Sequence, residues 1–183
     1  MIIVPSDHER WARRAGEMTA ELSRLLPDAE IAHIGSTAVP RFPAKPVVDL
    51  AVGVPADGIA RAARTLAAHG FDLEGERAGH AWLSHPRRTA RAFVIHVFER
   101  DREEWERRLR FRDILRHDED ARDRYLAVKR AAADQASDWG EYTRAKAAVV
   151  AELLGSAAPR LQRSPATSDG SDTGRRQTNA RQS

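Results

Sequence analysis

Cysteine is absent from the 183 residues, which excludes disulfides and thiolate metal sites and suits a reducing compartment. No apolar run approaches membrane-spanning length. The start, Met1-Ile2-Ile3-Val4-Pro5, has neither the length nor the basic opening of a secretory leader. The expectation is a soluble cytoplasmic protein with no membrane partner. An excess of charge is also missing from most of the chain. Arg160, Arg163, Arg175, Arg176 and Arg181 stand against Asp169 and Asp172 in residues 156–183. That leaves 25 of the 30 basic and 25 of the 27 acidic residues in 1–155, so the formal +3 sits in the tail. A charge so placed gives no reason to expect a specific nucleic-acid partner. The tail is poor in large apolar residues and is expected to be a disordered, polar appendage. Internal repeats are absent, and the length allows one well-buried core, so a single domain is expected over 1–155.

Within that domain, Ser6-x-x-Glu9 has the spacing of a capping box and opens an expected helix over residues 7–26. Trp11, Ala15, Met18, Leu22 and Leu25 form its apolar stripe. Strands are expected at Ile31–Ile34 and, as a nearly continuous apolar run, at Val47–Val54. Pro55 is expected to open a helix with Ile59, Ala63, Leu66 and Ala67 inward, closed by Gly70. Phe71–Glu74 and Ala81–Ser84 read as two more strands, and His85–Thr89 as a turn. Ala92–Glu99 reads as a strand with Phe93, Ile95 and Val97 on one face and Val94, His96 and Phe98 on the other. Helices are then expected over Arg102–Arg116, Asp120–Gln135 and Trp139–Leu154, the last closed by Gly155. The order implies an α/β (α+β) fold: a mixed sheet of about five strands flanked by helices, with a C-terminal helical run.

Chemistry concentrates between the first two strands. Gly35-Ser36 is a turn whose backbone N–H groups, with the hydroxyls of Ser36 and Thr37, suit a phosphate. Lys45 lies between Pro43 and Pro46, which restrict the loop and present the lysine as a point charge for phosphate. Asp49 interrupts an apolar strand, where an unpaired carboxylate costs several kcal/mol, roughly, unless a cation or metal offsets it. His96 interrupts another apolar strand. If the two strands are neighbours, Asp49 and His96 share a metal or bracket a reacting oxygen. His33 and His80 are weaker candidates, and His69 and His117 read as surface residues at helix ends. Arg112, Arg116, Lys129 and Lys146 have helix faces from which to enter a cleft. Solvated faces with intrahelical ion pairs are the plainer reading of most of them. Trp105, Tyr125 and Tyr142 read as core.

His33-Ile-Gly-Ser-Thr-Ala-Val-Pro40, Ala44-Lys-Pro-x-x-Asp49, Ile95-His96-Val97, Trp105-x-x-x-Leu109-x-Phe-Arg-Asp-x-Leu-Arg116 and Tyr125-x-x-x-Lys129 together resemble the GrpB family from about Val4 to Leu154. The resemblance implies a nucleotidyltransferase-like fold. In active members of that superfamily a Gly-Ser turn holds a nucleoside triphosphate. An Asp-x-Asp/Glu pair and a third carboxylate on a later strand bind two magnesium ions. By position, Gly35 and Ser36 match the turn and Asp49 the first carboxylate, while Ala51 stands at the second and His96 at the third. Arg41 follows Pro40 where family members have glycine. No P-loop of the Gly-x-x-x-x-Gly-Lys-Ser/Thr kind occurs, so kinase activity is not carried over from GrpB-like domains fused to dephospho-CoA kinase. Two expectations result. One is a transferase of nucleotidyl or related phosphate chemistry. It would take a nucleoside triphosphate or nucleotide-like molecule, with Asp49, His96 and Lys45 catalytic, and Gly35, Ser36, Thr37, Lys45 and Arg112 on the phosphates. Its divalent metal, Mg2+ or Mn2+, or Zn2+ if the imidazole ligates, would sit on Asp49 and His96. The other is a catalytically silent module that binds a nucleotide or a partner protein.

Overall fold

A computed structural model describes residues 2–156, so the expectation for the tail lies outside the described residues. The chain begins with α1 (His8–Leu25), β1 (Glu30–Ile34), a 3-10 turn (Ser36–Ala38), β2 (Val48–Val54) and α2 (Ile59–Ala68). There follow β3 (Asp72–Arg77), β4 (His80–His85), β5 (Phe93–Glu99), α3 (Glu103–His117), α4 (Glu119–Gln135), α5 (Trp139–Ala145) and α6 (Ala147–Ser156). The five strands form one sheet in the order β1-β2-β5-β4-β3. The β2–β5 pair is parallel and the other pairs are antiparallel, so the sheet is mixed as expected. The last strand in sequence therefore occupies the centre.

Side-chain alternation assigns the two faces. Val48, Leu50, Val52 and Val54 from β2, with Ile95 and Val97 from β5, pack under Trp11, Ala15, Met18 and Leu22 of α1 and Ala62, Ala63 and Leu66 of α2. The opposite face carries Ile34, Ala51 and Phe98 against Trp105 of α3. A third cluster ties the helical run to the loop after β1, with Val39 and Phe42 against Leu115, Tyr125, Val149 and Leu153. Burial on this scale, at roughly 25 cal/mol per Å² of apolar surface, is what holds helices of such modest length in place. No helix among the described residues is long and apolar enough to cross a membrane.

Several local expectations are corrected. Helix α1 starts one residue later than the Ser6 capping box requires: Asp7 is the N-cap and makes no side-chain cap bond. Glu9 thus falls at the second helical position and cannot reach back, and Ser6 Oγ is buried without a partner among the described residues. The reciprocal cap occurs instead at α5, where Asp138 accepts from Glu141 N and Glu141 accepts from Ser137 N. Pro55 opens a turn, closed by Gly58 N–H on Pro55 C=O, and α2 begins only at Ile59. The shift buries Ala62 and exposes Ala67. The expected helix over Trp139–Leu154 is broken at Lys146 into α5 and α6, and Gly155 lies within α6 rather than closing it.

Arg41 is exposed and adopts φ 57°, the left-handed region that an L side chain enters at a cost of roughly 1–2 kcal/mol. Glycine would enter this region without that cost. Arg41→Gly is expected to stabilise the fold by about 0.5–1 kcal/mol, after the added flexibility of the unfolded chain is discounted. Urea denaturation of the two proteins checks this, and an unchanged or lower midpoint contradicts it.

Candidate functional site

The register of the first two strands builds the site. Ile34, the last residue of β1, lies opposite Asp49, so the turn that follows β1 folds over that carboxylate. Gly35 has φ 70°, and a Cβ there would lie 2.5 Å from Asp49 Oδ2. Only glycine permits this approach, which brings the turn's backbone against the acid. Asp49 and Ala51 project from the same face of β2. In the parallel pairing Ala51 lies opposite His96, which brings His96 to the same face as Asp49. The adjacency left open in the sequence is therefore real: His96 Nε2 lies 3.9 Å from Asp49 Oδ1. The two side chains are 20% and 30% exposed, so both are within reach of a ligand.

Cations gather round this acid. Lys45 Nζ stands 3.3 Å from the centre of the Tyr142 ring and Lys146 Nζ 3.8 Å from it. Lys129 is buried, donates to the Pro43 carbonyl at 2.7 Å and lies over Phe42. Burial, reinforced by the charge of Lys146, lowers Lys45 and Lys129 to about 7 from the usual 10.5, while Asp49 pulls the other way. Lys146 is lowered to about 8 by burial, again against the pull of Asp49. The guanidinium of Arg108 also feels Asp49, lies 5.4 Å from the Phe98 ring centre, and is lowered by burial. Tyr142 is pushed up to about 12 by burial and by Asp49. Lys45, Lys129, Lys146 and Arg108 thus lie within the field of this carboxylate, and Arg108 is also paired with Glu104 at 3.8 Å. Such a basin suits a multiply charged anion.

Not every expected residue arrives. Thr37 is buried, and its hydroxyl is engaged by His33 Nε2 at 2.9 Å, so it braces the turn and does not face the basin. Burial lowers His33 to about 4, which keeps that imidazole neutral. Arg112 is held by Asp113 at 2.7 Å and reaches back to the His33 carbonyl at 3.4 Å. Arg116 likewise supports the turn through the Ala38 carbonyl. Ser36 is hydrogen-bonded to the buried Tyr125 hydroxyl, whose ionisation burial pushes well above the usual range. Gly35, Lys45, Asp49 and His96 do come together, joined by Lys129 and Lys146, with Ser36 beside them in the turn but engaged by Tyr125. Arg108 was missed, although its place three residues after the core Trp105 turns it toward the sheet.

The donor set does not fit a two-magnesium clamp. Ala51 supplies no oxygen, His96 supplies an imidazole, and among the described residues no group of three or more His, Cys, Asp or Glu is placed to hold a metal ion. Four nearby cations add electrostatic opposition to a second divalent ion.

The family model described as GrpB protein matches residues 1–156. A UPF0157 protein of Deinococcus radiodurans is 40% identical over 158 residues, covering 86% of this chain and 83% of that one. A UPF0157 protein of Streptomyces coelicolor is 37% identical over 150 residues, covering 79% and 78%. Among solved structures, the conserved protein GrpB from Enterococcus faecalis aligns with a TM-score of 0.71 at 24% identity, over 85% of this chain and 98% of that one. The Cid1 poly(U) polymerase with Mg 3'-dATP bound aligns at 0.52 and 21% identity, over 78% and 49%. Both likenesses are of fold, and they place the mixed sheet among nucleotidyltransferase-like structures. The family model spans the whole described fold and two relatives exceed 30% identity over most of their length: the chain belongs to the GrpB family.

Proposed function

We propose that the partly open face at Asp49 and His96, beside the Gly35-Ser36 turn, binds a nucleotide-like, phosphate-bearing small molecule. The observation that carries this reading is the placement of the Lys45 and Lys146 ammonium groups against one ring, that of Tyr142, within the field of Asp49 and beside a glycine turn. Partly desolvated lysines are poised to regain protons when an anion arrives, and each charge-assisted contact contributes about 1.5–3 kcal/mol. In this reading the lysines supply the countercharge that magnesium supplies elsewhere in the superfamily, and a divalent ion is not required. Nucleotidyl or related phosphate transfer is the second reading. It is favoured by the placement of His96 beside Asp49 and opposed by Ala51 at the second carboxylate position. A silent binding module is what remains if no transfer is found.

Asp49 separates the readings by the size of its effect. Without a metal its carboxylate repels phosphate but also favours the charged lysines, two effects of opposite sign, so Asp49→Asn retains binding. With a metal on Asp49 the same change abolishes binding. Thermal denaturation with ATP or tripolyphosphate, in EDTA or with Mg2+, Mn2+ or Zn2+, is the measurement. At about one hundred times Kd a bound ligand raises Tm by roughly 5–10 °C, the counterpart of about 2.7 kcal/mol. Stabilisation in EDTA, weakened roughly 10- to 100-fold in Lys45→Met or Lys146→Met, is expected. No shift with either compound under any of these conditions defeats the proposal.

Proton linkage provides an independent check. All three lysines have lower pKa values folded than unfolded, so the unfolded chain binds more protons between about pH 7 and 10.5. Stability of the ligand-free protein is therefore lowest below about pH 7 with respect to these groups and rises with pH through that window. Urea midpoints at pH 6, 7.5 and 9 should show a steeper rise for the wild type than for Lys129→Met. Tripolyphosphate binding at pH 8 should take up protons, read as a buffer-dependent enthalpy in calorimetry. Equal slopes, or no uptake, contradict the assignment.

A further inference from the structure

His80 belongs to neither the phosphate basin nor the apolar core. Its Nε2 lies 3.0 Å from His96 Nδ1, and its ring stacks on Phe98 at 4.5 Å between centroids. Its other nitrogen, Nδ1, is buried with no hydrogen-bond partner among the described residues. One proton is shared between the facing nitrogens, and its owner decides what His96 presents to Asp49.

Were His96 the donor, through Nδ1–H, a neutral His80 would hold its own proton on the orphaned Nδ1. A buried N–H without an acceptor is rarer and costlier than a buried lone pair without a donor. His96 Nε2 would then aim a lone pair at the Asp49 carboxylate. Were His80 the donor, through Nε2–H, its Nδ1 would be a bare acceptor and His96 would carry its proton on Nε2, aimed at Asp49 Oδ1. A doubly protonated His80 would orphan a charged N–H beside Phe98. Both the orphaned atom and the direction of the Asp49 charge select the same arrangement.

We propose that His80 is a positioning residue that holds His96 in its Nε2–H form, making Asp49 and His96 an acceptor and a donor 3.9 Å apart that a ligand hydroxyl bridges from their open side in place of a metal ion. A hydroxyl oxygen within hydrogen-bond distance of both receives from His96 Nε2–H and donates to Asp49 Oδ1. A metal would need the lone pair that this tautomer withholds. That the hydroxyl belongs to the phosphate-bearing ligand rests on the preceding reading of the site. The tautomer itself does not.

Long-range 1H–15N correlation spectra of the ligand-free, 15N-labelled protein at pH 7.5 test it, whatever the outcome of the nucleotide titrations. His96 is expected with a protonated Nε2 and a bare Nδ1, unmoved by one equivalent of Zn2+. A protonated Nδ1, or a stoichiometric zinc-induced shift of His96 Nε2, overturns the proposal. His80→Gln, whose amide nitrogen substitutes for Nε2–H, should preserve the His96 pattern. His80→Phe should lose it to a mixture of tautomers while the backbone spectrum away from β4 and β5 is retained. A His96 pattern unchanged in His80→Phe also overturns the positioning role. If that variant fails to fold, the wild-type spectrum and the zinc titration decide.

Discussion

The charge of Asp49 is the interaction on which the arrangement of the site depends. It opposes the desolvation of Lys45, Lys129 and Lys146 and draws on Arg108, four cations whose mutual repulsion would otherwise oppose closure of the helical run over the sheet. Those cations come from four separate stretches: the loop before β2, α3, α4, and the junction of α5 with α6. One carboxylate on the sheet therefore gives otherwise independent elements a common electrostatic reference. Gly35 completes the arrangement by bringing main chain where a larger residue would displace the acid.

The two faces of the sheet divide the work. Trp11, Met18 and Leu22 from α1 and Leu66 from α2 cover one face with apolar contacts. The other face is covered at Ala51 and Phe98 by Trp105 and left partly open at Asp49 and His96. Tyr142 links the two roles: it is buried in a small cluster with Ala132 and Ala133, yet its ring lies against the ammonium groups of Lys45 and Lys146. The break at Lys146 has a purpose in this light, since the junction residue itself stands at that ring.

Much of the scaffold was legible in the sequence because burial periodicity is a strong signal. β2 and β5 are continuous apolar runs, and their observed limits differ from expectation by one residue at one end. The alternation assigned to Phe93–Phe98 is the one observed. Register at helix starts was not legible: Ser6 and Asp7 are both competent caps, and packing of Trp11 and Ala15 chooses between them. Within the candidate site, the neighbourhood of Gly35, Asp49 and His96 was legible because each is an anomaly in its local pattern. Arg108, Lys129 and His80 escaped or were undervalued, since charged residues on helices ordinarily face water and strand histidines are ordinarily core. Thr37 and Arg112 were over-read, because one-dimensional proximity to the turn does not reveal that His33 and Asp113 already hold them.

The central position of β5 carries a temporal implication. β1 and β2 form one antiparallel pair and β3 and β4 another, and each exposes an edge until the strand ending at Glu99 slots between them. A nascent chain halted before that point holds two unjoined hairpins with bare, apolar rims, and Asp49 and His96 have not met. Insertion of a single late-emerging ribbon thus accomplishes two things at once: it seals the hazardous edges and delivers the imidazole to its acid, so the candidate site cannot assemble before the sheet closes.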